Sequence, residues 1–185
     1  MRVISGKFRG KRLYSPADNR VRPTTDRIKE TMFNILFSKG AQYNSVLDLF
    51  SGSGALGIEA LSRGAKTAVF IDKDADSVKL TGLNLRNVQA VNYEIFNTDY
   101  SIALKKLKGR KFEIIFVDPP YKLKIEPLVL QGIKDNELLS EDGIIVVEHS
   151  AENKLQIDDK RYIIDERLCG NTVLSFICYR REAIE

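Results

Sequence analysis

The chain has 185 residues, 43% of them hydrophobic and 29% charged, with a net charge of +4, a size and balance that suit one domain with a full core. No apolar run approaches the roughly 20 residues of a membrane span, and the N-terminal "MRVISGKFRGKRL" lacks the continuous apolar stretch of a signal peptide. Cys169 and Cys178 show no metal-like spacing; they read as buried thiols in a reducing compartment, so a cytoplasmic protein is expected and no metal site.

The charge is uneven. Residues 1–29 hold nine Lys or Arg (Arg2, Lys7, Arg9, Lys11, Arg12, Arg20, Arg22, Arg27, Lys29) against Asp18 and Asp26, a local +7 that leaves −3 for the other 156 residues. A basic end beside an acidic body suggests a polyanion-binding face; a solvated basic tail is the plainer alternative. Residues 2–15 alternate and contain glycines, which predicts a small hairpin. Residues 23–40 read as an amphipathic helix: Ile28, Met32, Ile35 and Leu36 share a face, Thr24 or Thr25 can cap it, and Gly40 ends it.

Beyond residue 40, short apolar runs alternate with helical patterns. Strands are expected at 45–50, 67–72, 92–96, 112–118 and 143–149, and helices at 54–63, 74–86, 99–108 and 124–134. Nearly continuous Val, Ile and Phe suit strands buried on both faces of a parallel sheet, so an α/β, doubly wound, Rossmann-like fold is predicted. "RYIIDERL" and "TVLSFICYR" flank "CGN", a hairpin signature turning at Gly170-Asn171. One domain over 1–185 is expected, with residues 1–22 a basic extension and 23–185 the catalytic core.

The stretch "LDLFSGSGALGIEAL" carries a full G-x-G-x-x-G, Gly52 to Gly57, with Asp72 twenty positions after the first glycine. Gly52 permits a tight turn, Gly54 lets backbone approach a ligand, Gly57 lets the helix lie close to the sheet, and the acid can accept from ribose hydroxyls. That much fits both NAD and S-adenosylmethionine. Asp48, four residues before Gly52, separates them. A carboxylate near the mouth of the loop repels pyrophosphate and suits the sulfonium and ammonium of S-adenosylmethionine. No Gly-Lys-Ser/Thr follows the glycines, so a P-loop is excluded. Asp99, after the third core strand, can accept from an adenine amino group or cap the helix that follows.

"FEIIFVDPPYK" ends a strand in Asp118-Pro119-Pro120-Tyr121. Two prolines force the chain out of the sheet at its carboxyl end. The Asp118 carboxylate and the Pro119 carbonyl are then two fixed acceptors for both hydrogens of a planar exocyclic amine, with Tyr121 offering a face on which a base can stack.

These blocks resemble a known family. Asp118-Pro-Pro-Tyr121 looks like the [D/N/S]-P-P-[Y/F/W] motif of S-adenosylmethionine-dependent amino methyltransferases, and "DLFSGSGALGIEALSRGA" like the cofactor loop of RsmD-type 16S rRNA guanine-N2 methyltransferases. "RVISGKFRGKRL", "RPTTDRIKETMFNIL" and "FIDKD" are similar to that family's other blocks, and the resemblance runs over roughly residues 2–150. It implies a class I methyltransferase fold, a seven-stranded sheet with an antiparallel last strand, and methylation of a guanine N2 in small-subunit rRNA, free or in an assembled or assembling 30S subunit. The catalytic candidates are Asp118, Pro119, Pro120 and Tyr121. The cofactor candidates are Asp48, Phe50, Gly52, Gly54, Asp72, Lys73 and Asp99, and the RNA-binding candidates Arg2, Lys7, Arg9, Lys11, Arg12 and Arg22. A monomer is expected. The alternatives are a DNA or protein-amide methyltransferase, an NAD-dependent oxidoreductase, and a non-catalytic RNA-binding module. His149, the one histidine, reads as structural, since this chemistry needs none.

Overall fold

A computed structural model describes residues 1–15, 25–120, 123–153, 155, 157 and 159–180. The elements run α1 (Asp26–Ser38), β1 (Ser45–Asp48), α2 (Ala55–Ser62), β2 (Thr67–Asp72), α3 (Ala75–Val88), β3 (Tyr93–Asn97), α4 (Tyr100–Lys106), β4 (Phe112–Val117), α5 (Glu126–Asp135), β5 (Leu139–Ser150), β6 (Tyr162–Cys169) and β7 (Thr172–Tyr179).

The seven strands form one sheet in the order β3-β2-β1-β4-β5-β7-β6. The first five pair in parallel, and β7 lies antiparallel between β5 and β6. Successive strand residues alternate between two cores. Val46, Phe70, Ile114, Phe116 and Val146 face α1, α2 and α3. Leu47, Val69, Ile71, Ile115, Val117 and Val147 face α4 and α5. Burial on both faces is why these strands carry so few polar residues.

The helix boundaries follow local chemistry. Thr25 caps α1 by accepting the Ile28 N–H, Asp74 caps α3 and Asp99 caps α4. On α1, Ile28, Met32 and Leu36 are buried as expected, together with Phe33 and Lys29. Cys169 and Cys178 are free and half-buried, packed against the core edge rather than sealed in it, because they sit at the ends of the edge hairpin. β5 begins four residues earlier than its apolar run, with a register shift against β4 between Phe112 and Ile114.

The N-terminal segment folds back on itself without an extended ladder: one antiparallel bridge joins Arg2 to Arg12, and the Val3, Leu13 and Gly10 N–H groups donate to the Lys11, Met1 and Val3 carbonyls. Other backbone donors of the segment are taken by α2: Ile4 and Ser5 N–H donate to the Glu59 carboxylate, Lys7 N–H to the Ser62 carbonyl and Phe8 N–H to the Ser62 hydroxyl. Val3, Phe8 and Leu13 point into the core, and a Cβ on Gly6 would collide with the Ser62 carbonyl, so this segment is packed down rather than free-standing.

Candidate active site

The candidate residues gather where four parallel strands end. Phe50 and the glycine turn follow β1, Asp72 and Lys73 close β2, Asp99 follows β3, and Asp118, Pro119 and Pro120 follow β4. Strand order reverses between β1 and β4, which opens a crevice at the carboxyl edge where α/β proteins bind ligands.

The turn is held as its glycines require. Gly52 and Gly54 have φ of +54° and +78°, and a Cβ on Gly52 would project into open space. A Cβ on Gly57 would overlap the Phe70 ring, so only glycine lets α2 lie this close to β2. Asp72 ties the turn to the second strand: its Oδ2 accepts the Gly52 N–H at 2.8 Å and its Oδ1 the Asp74 N–H at 2.9 Å. Burial raises the Asp72 pKa against those two bonds. Asn97 Nδ2 donates to the carbonyls of Asp72 and Lys73 at 3.1 and 3.0 Å, drawing the ends of β2 and β3 together.

Asp48 does not stand at the mouth of the loop. It is 2% exposed, and its Oδ2 accepts the Gly57 N–H at 3.1 Å, because a strand residue on this face points under the first turn of α2. Burial pushes its pKa up to about 7, with the Asp72 charge adding to the rise and the Gly57 bond opposing it. A carboxyl with a raised folded pKa is more protonated in the native state than in the unfolded chain. Its contribution is present below the unfolded value near 3.8 and is lost as pH climbs to about 7. In wild type, stability relative to Asp48→Asn is therefore expected to fall by up to about 4 kcal/mol from roughly pH 4 to pH 7. Denaturant unfolding of both proteins at the two pH values measures it; parallel curves would show that Asp48 does not titrate there.

Asp99 caps α4: its Oδ1 accepts the Ser101 N–H at 2.9 Å and the Ser101 hydroxyl at 2.7 Å. Those bonds to Ser101 hold its pKa below the usual carboxylate value. The Lys73 charge acts on both Asp72 and Asp99. The half-buried Phe50 ring meets that of Tyr100, the first residue of α4, at 5.5 Å and 44°.

Across the crevice, Asp118 is half-buried, Pro119 buried and Pro120 exposed. The Pro120 carbonyl accepts the Leu123 N–H at 2.9 Å. Tyr121 lies outside the described residues, as does Arg22. Arg2, Lys7, Arg9, Lys11 and Arg12 are all exposed, between the buried Val3, Phe8 and Leu13. Arg2 is paired with Asp26 at 3.4 Å.

Sequence reasoning missed the residues that join these parts. Thr81 and Asn84 of α3 are fully buried. Thr81 Oγ1 donates to the Gly52 carbonyl at 2.9 Å. Asn84 Nδ2 donates to the Ser53 carbonyl at 2.8 Å and to the Tyr14 carbonyl at 3.0 Å, while its Oδ1 accepts the Tyr14 N–H at 2.7 Å. One amide thus clips the glycine turn to the end of the basic segment. The available signal was two polar residues, three apart, on the buried stripe of a helix. His149 is buried, with Nε2 2.8 Å from the Ser175 hydroxyl and Nδ1 3.1 Å from the Ser150 carbonyl, a structural placement. A cavity of about 620 Å³ lies under α5 and is lined by Leu130, Lys134, Ile145, Tyr162 and Ile177, among others; no candidate residue among those described lines it. No described helix is long and apolar enough to cross a membrane.

Comparison with known proteins agrees with this architecture. The family described as Conserved hypothetical protein 95 matches residues 1–178. The chain is 40% identical over 161 residues to YlbH of Bacillus subtilis (strain 168), provisionally named an rRNA methyltransferase, covering 84% of this chain and 85% of that one. It is 35% identical to ribosomal RNA small subunit methyltransferase D of Escherichia coli (strain K12), over 99% of this chain and 91% of that protein. The solved structure of yhhF from Escherichia coli, provisionally a methyltransferase, superposes with a TM-score of 0.86 at 33% identity, covering 98% of this chain and 99% of that one. With the glycine turn, its two acids and the Asp-Pro-Pro corner on one sheet edge, the chain belongs to the Conserved hypothetical protein 95 family, in which it is a relative of ribosomal RNA small subunit methyltransferase D.

Proposed function

We propose that this chain transfers a methyl group from S-adenosylmethionine to the exocyclic N2 of a guanine in small-subunit (16S) rRNA. The observation that carries the reading is the juxtaposition, across the β1/β4 switch point, of an acid-lined glycine turn and the Asp118-Pro119-Pro120 corner. The donor set fits the cofactor: half-buried Asp72 can accept from ribose hydroxyls and its carboxylate disfavours pyrophosphate, while Asp48 lies buried beneath the turn. When bound there, S-adenosylmethionine supplies an electrophilic methyl carbon on a positively charged sulfur.

The rest is done by the chain. Asp72 accepts from the ribose, Asp48 holds the Gly57 N–H beneath the turn, and Phe50, Lys73 and Asp99 border the adenosine end. Asp118 and the Pro119 carbonyl hold the two N2 hydrogens. A guanine N2 lone pair is delocalised into the ring, so fixing both hydrogens and aiming the nitrogen supplies transition-state complementarity and positioning. With the methyl donor bound, the N2 proton displaced by methylation would pass to the Asp118 carboxylate or to water. Tyr121 would offer the stacking face. The target base must leave its stack or lie in an exposed loop.

Relatives named for small-subunit rRNA methylation support ribosomal RNA as the partner. A monomer working in the cytoplasm on 30S particles or their RNA is the finer form of the reading. Exposed Lys7, Arg9, Lys11 and Arg12 grip phosphates. Replacing all four with Ala is expected to lower the slope of log affinity against log salt by roughly 3; an unchanged slope would reduce the segment to a solvated tail. Tritiated-methyl transfer to 16S rRNA and to 30S particles, followed by nucleoside analysis, tests the activity. N2-methylguanosine is expected, and label on adenine, DNA or protein would sink the assignment.

A further inference from the structure

The sheet order divides the carboxyl edge in two. The glycine turn and its acids occupy the β1–β2–β3 side, while Asp118 stands at the end of β4 with β5 beyond it. β4 and β5 run in parallel with Val117 opposite Val147, so Asp118 leaves the sheet next to the Glu148 position while β5 runs on through His149 to Ser150. On this β5 side a cavity of about 270 Å³ is lined by Lys124, Glu126, His149, Glu152 and Leu155, among others, a volume on the scale of a single nucleobase and just below the roughly 300–1,000 Å³ of ordinary small-molecule pockets.

Glu126 is the unusual member. It opens α5, six residues after Pro120, and is only 4% exposed. Its Oε1 is buried and accepts no hydrogen bond from any described residue. Leaving such an acceptor unmatched costs about 1–3 kcal/mol, and more when it is charged, so an orphan of this kind in a native fold calls for an explanation. Its neighbour in the wall, His149, is not available to satisfy it, since both ring nitrogens are engaged with Ser175 and Ser150.

We propose that Glu126 is a specificity-determining residue whose free carboxylate oxygen accepts the N1–H of the target guanine. The proposal rests on the methyltransferase reading above and deepens it. Guanine presents two donors side by side, N1–H and the N2 amine. With N2 held at Asp118 and Pro119, N1–H lies on the adjacent edge of the ring, toward the β5 side. Adenine has a lone pair at N1 in place of that hydrogen, and a buried carboxylate facing it would be left unmatched and repelled. A site built to accept a hydrogen bond rejects an analogue that lacks the donor far more strongly than an apolar pocket rejects a misfit.

The discriminating probe is 2-aminopurine, which keeps the exocyclic amine at C2 but has an acceptor at N1. Once the methylated guanine is mapped, 2-aminopurine is placed at that position and kcat/KM is compared with guanine. Wild type is expected to prefer guanine by about 100-fold or more. Glu126→Gln, whose amide can donate to an N1 acceptor, is expected to lose at least about tenfold on guanine and to bring the two substrates within about tenfold of each other. Its affinity for S-adenosylhomocysteine should match wild type, because the glycine turn is on the other side of Asp118. Equal use of both bases by wild type overturns the proposal without any variant, and so does a folded Glu126→Gln that keeps the wild-type preference. A wild type that methylates no guanine N2 overturns the functional reading itself, and the proposal falls with it.

Discussion

Asp118→Ala is expected to lower kcat by about 10³-fold or more, the combined scale of lost positioning and lost proton acceptance, while S-adenosylhomocysteine binds within about twofold of wild type. The separation follows from the sheet. The cofactor candidates sit at the ends of β1, β2 and β3, whereas Asp118 leaves β4 across the switch point. Loss of the carboxylate leaves one N2 hydrogen without its acceptor and the nitrogen free to rotate away. Asp118→Asn is the finer probe. Its carbonyl still accepts one hydrogen, but it takes up no proton, so a smaller loss of roughly 10–100-fold is expected. Single-turnover rates and calorimetry with S-adenosylhomocysteine on the same preparations separate chemistry from binding. Full activity in Asp118→Ala would remove the corner from the mechanism, and lost cofactor binding would place Asp118 in the cofactor site instead.

Glu59→Ala is expected to be the most destabilising single change in the N-terminal half, at about 3–5 kcal/mol, a drop in Tm of roughly 10 °C for a domain of this size. Glu59 and Lys29 are both fully buried and 3.3 Å apart. Glu59 also meets Arg63 at 2.8 Å and accepts the N–H groups of Ile4 and Ser5, while Lys29 Nζ donates to the Arg2 carbonyl at 2.6 Å. Burial pulls the Lys29 pKa down and Glu59 holds it up, so removing the acid leaves an unmatched cation in the core. It also frees the backbone of the basic segment. Lys29→Met should cost less, because Glu59 keeps Arg63 and two backbone donors and the hydrocarbon stem is replaced in kind. Denaturant unfolding of the two single variants and the double variant gives the coupling. A Glu59→Ala protein within 1 kcal/mol of wild type would mean that the pair contributes little.

The order of elements was legible in the chain itself. The β1 to β5 segments announce themselves as short Val/Ile/Phe runs, and α1 as an apolar stripe behind Thr25. Gly170-Asn171 marks the last hairpin. The site was legible wherever its chemistry is local: the glycine turn, Asp72 twenty residues on, and the Asp118-Pro119-Pro120 corner. What the alternation in residues 2–15 could not reveal is that Glu59 and Ser62, more than fifty residues away, take several of that segment's backbone donors. The burial of Asp48, expected near the mouth of the loop, was illegible for the same reason, since the turn of α2 that covers it comes from the next element.

Local periodicity and fixed spacing depend only on near neighbours along the chain, so the sequence by itself determined the α/β alternation, the doubly wound, mostly parallel sheet, the glycine turn after β1 and the Asp118-Pro119-Pro120 corner after β4. Burial and partnership depend on which distant segments meet. Only the tertiary structure decided that Lys29 and Glu59 form a sealed pair, that Asn84 clips Ser53 to Tyr14, that Asp48 lies under the turn whose mouth it was expected to be near, and that Glu126, in the wall of the β5-side cavity, keeps an oxygen unmatched by any described residue. Each is a charged or polar side chain that reads as surface in the sequence. Packing takes it out of water, and its role then follows from whatever partner, or lack of one, the fold supplies.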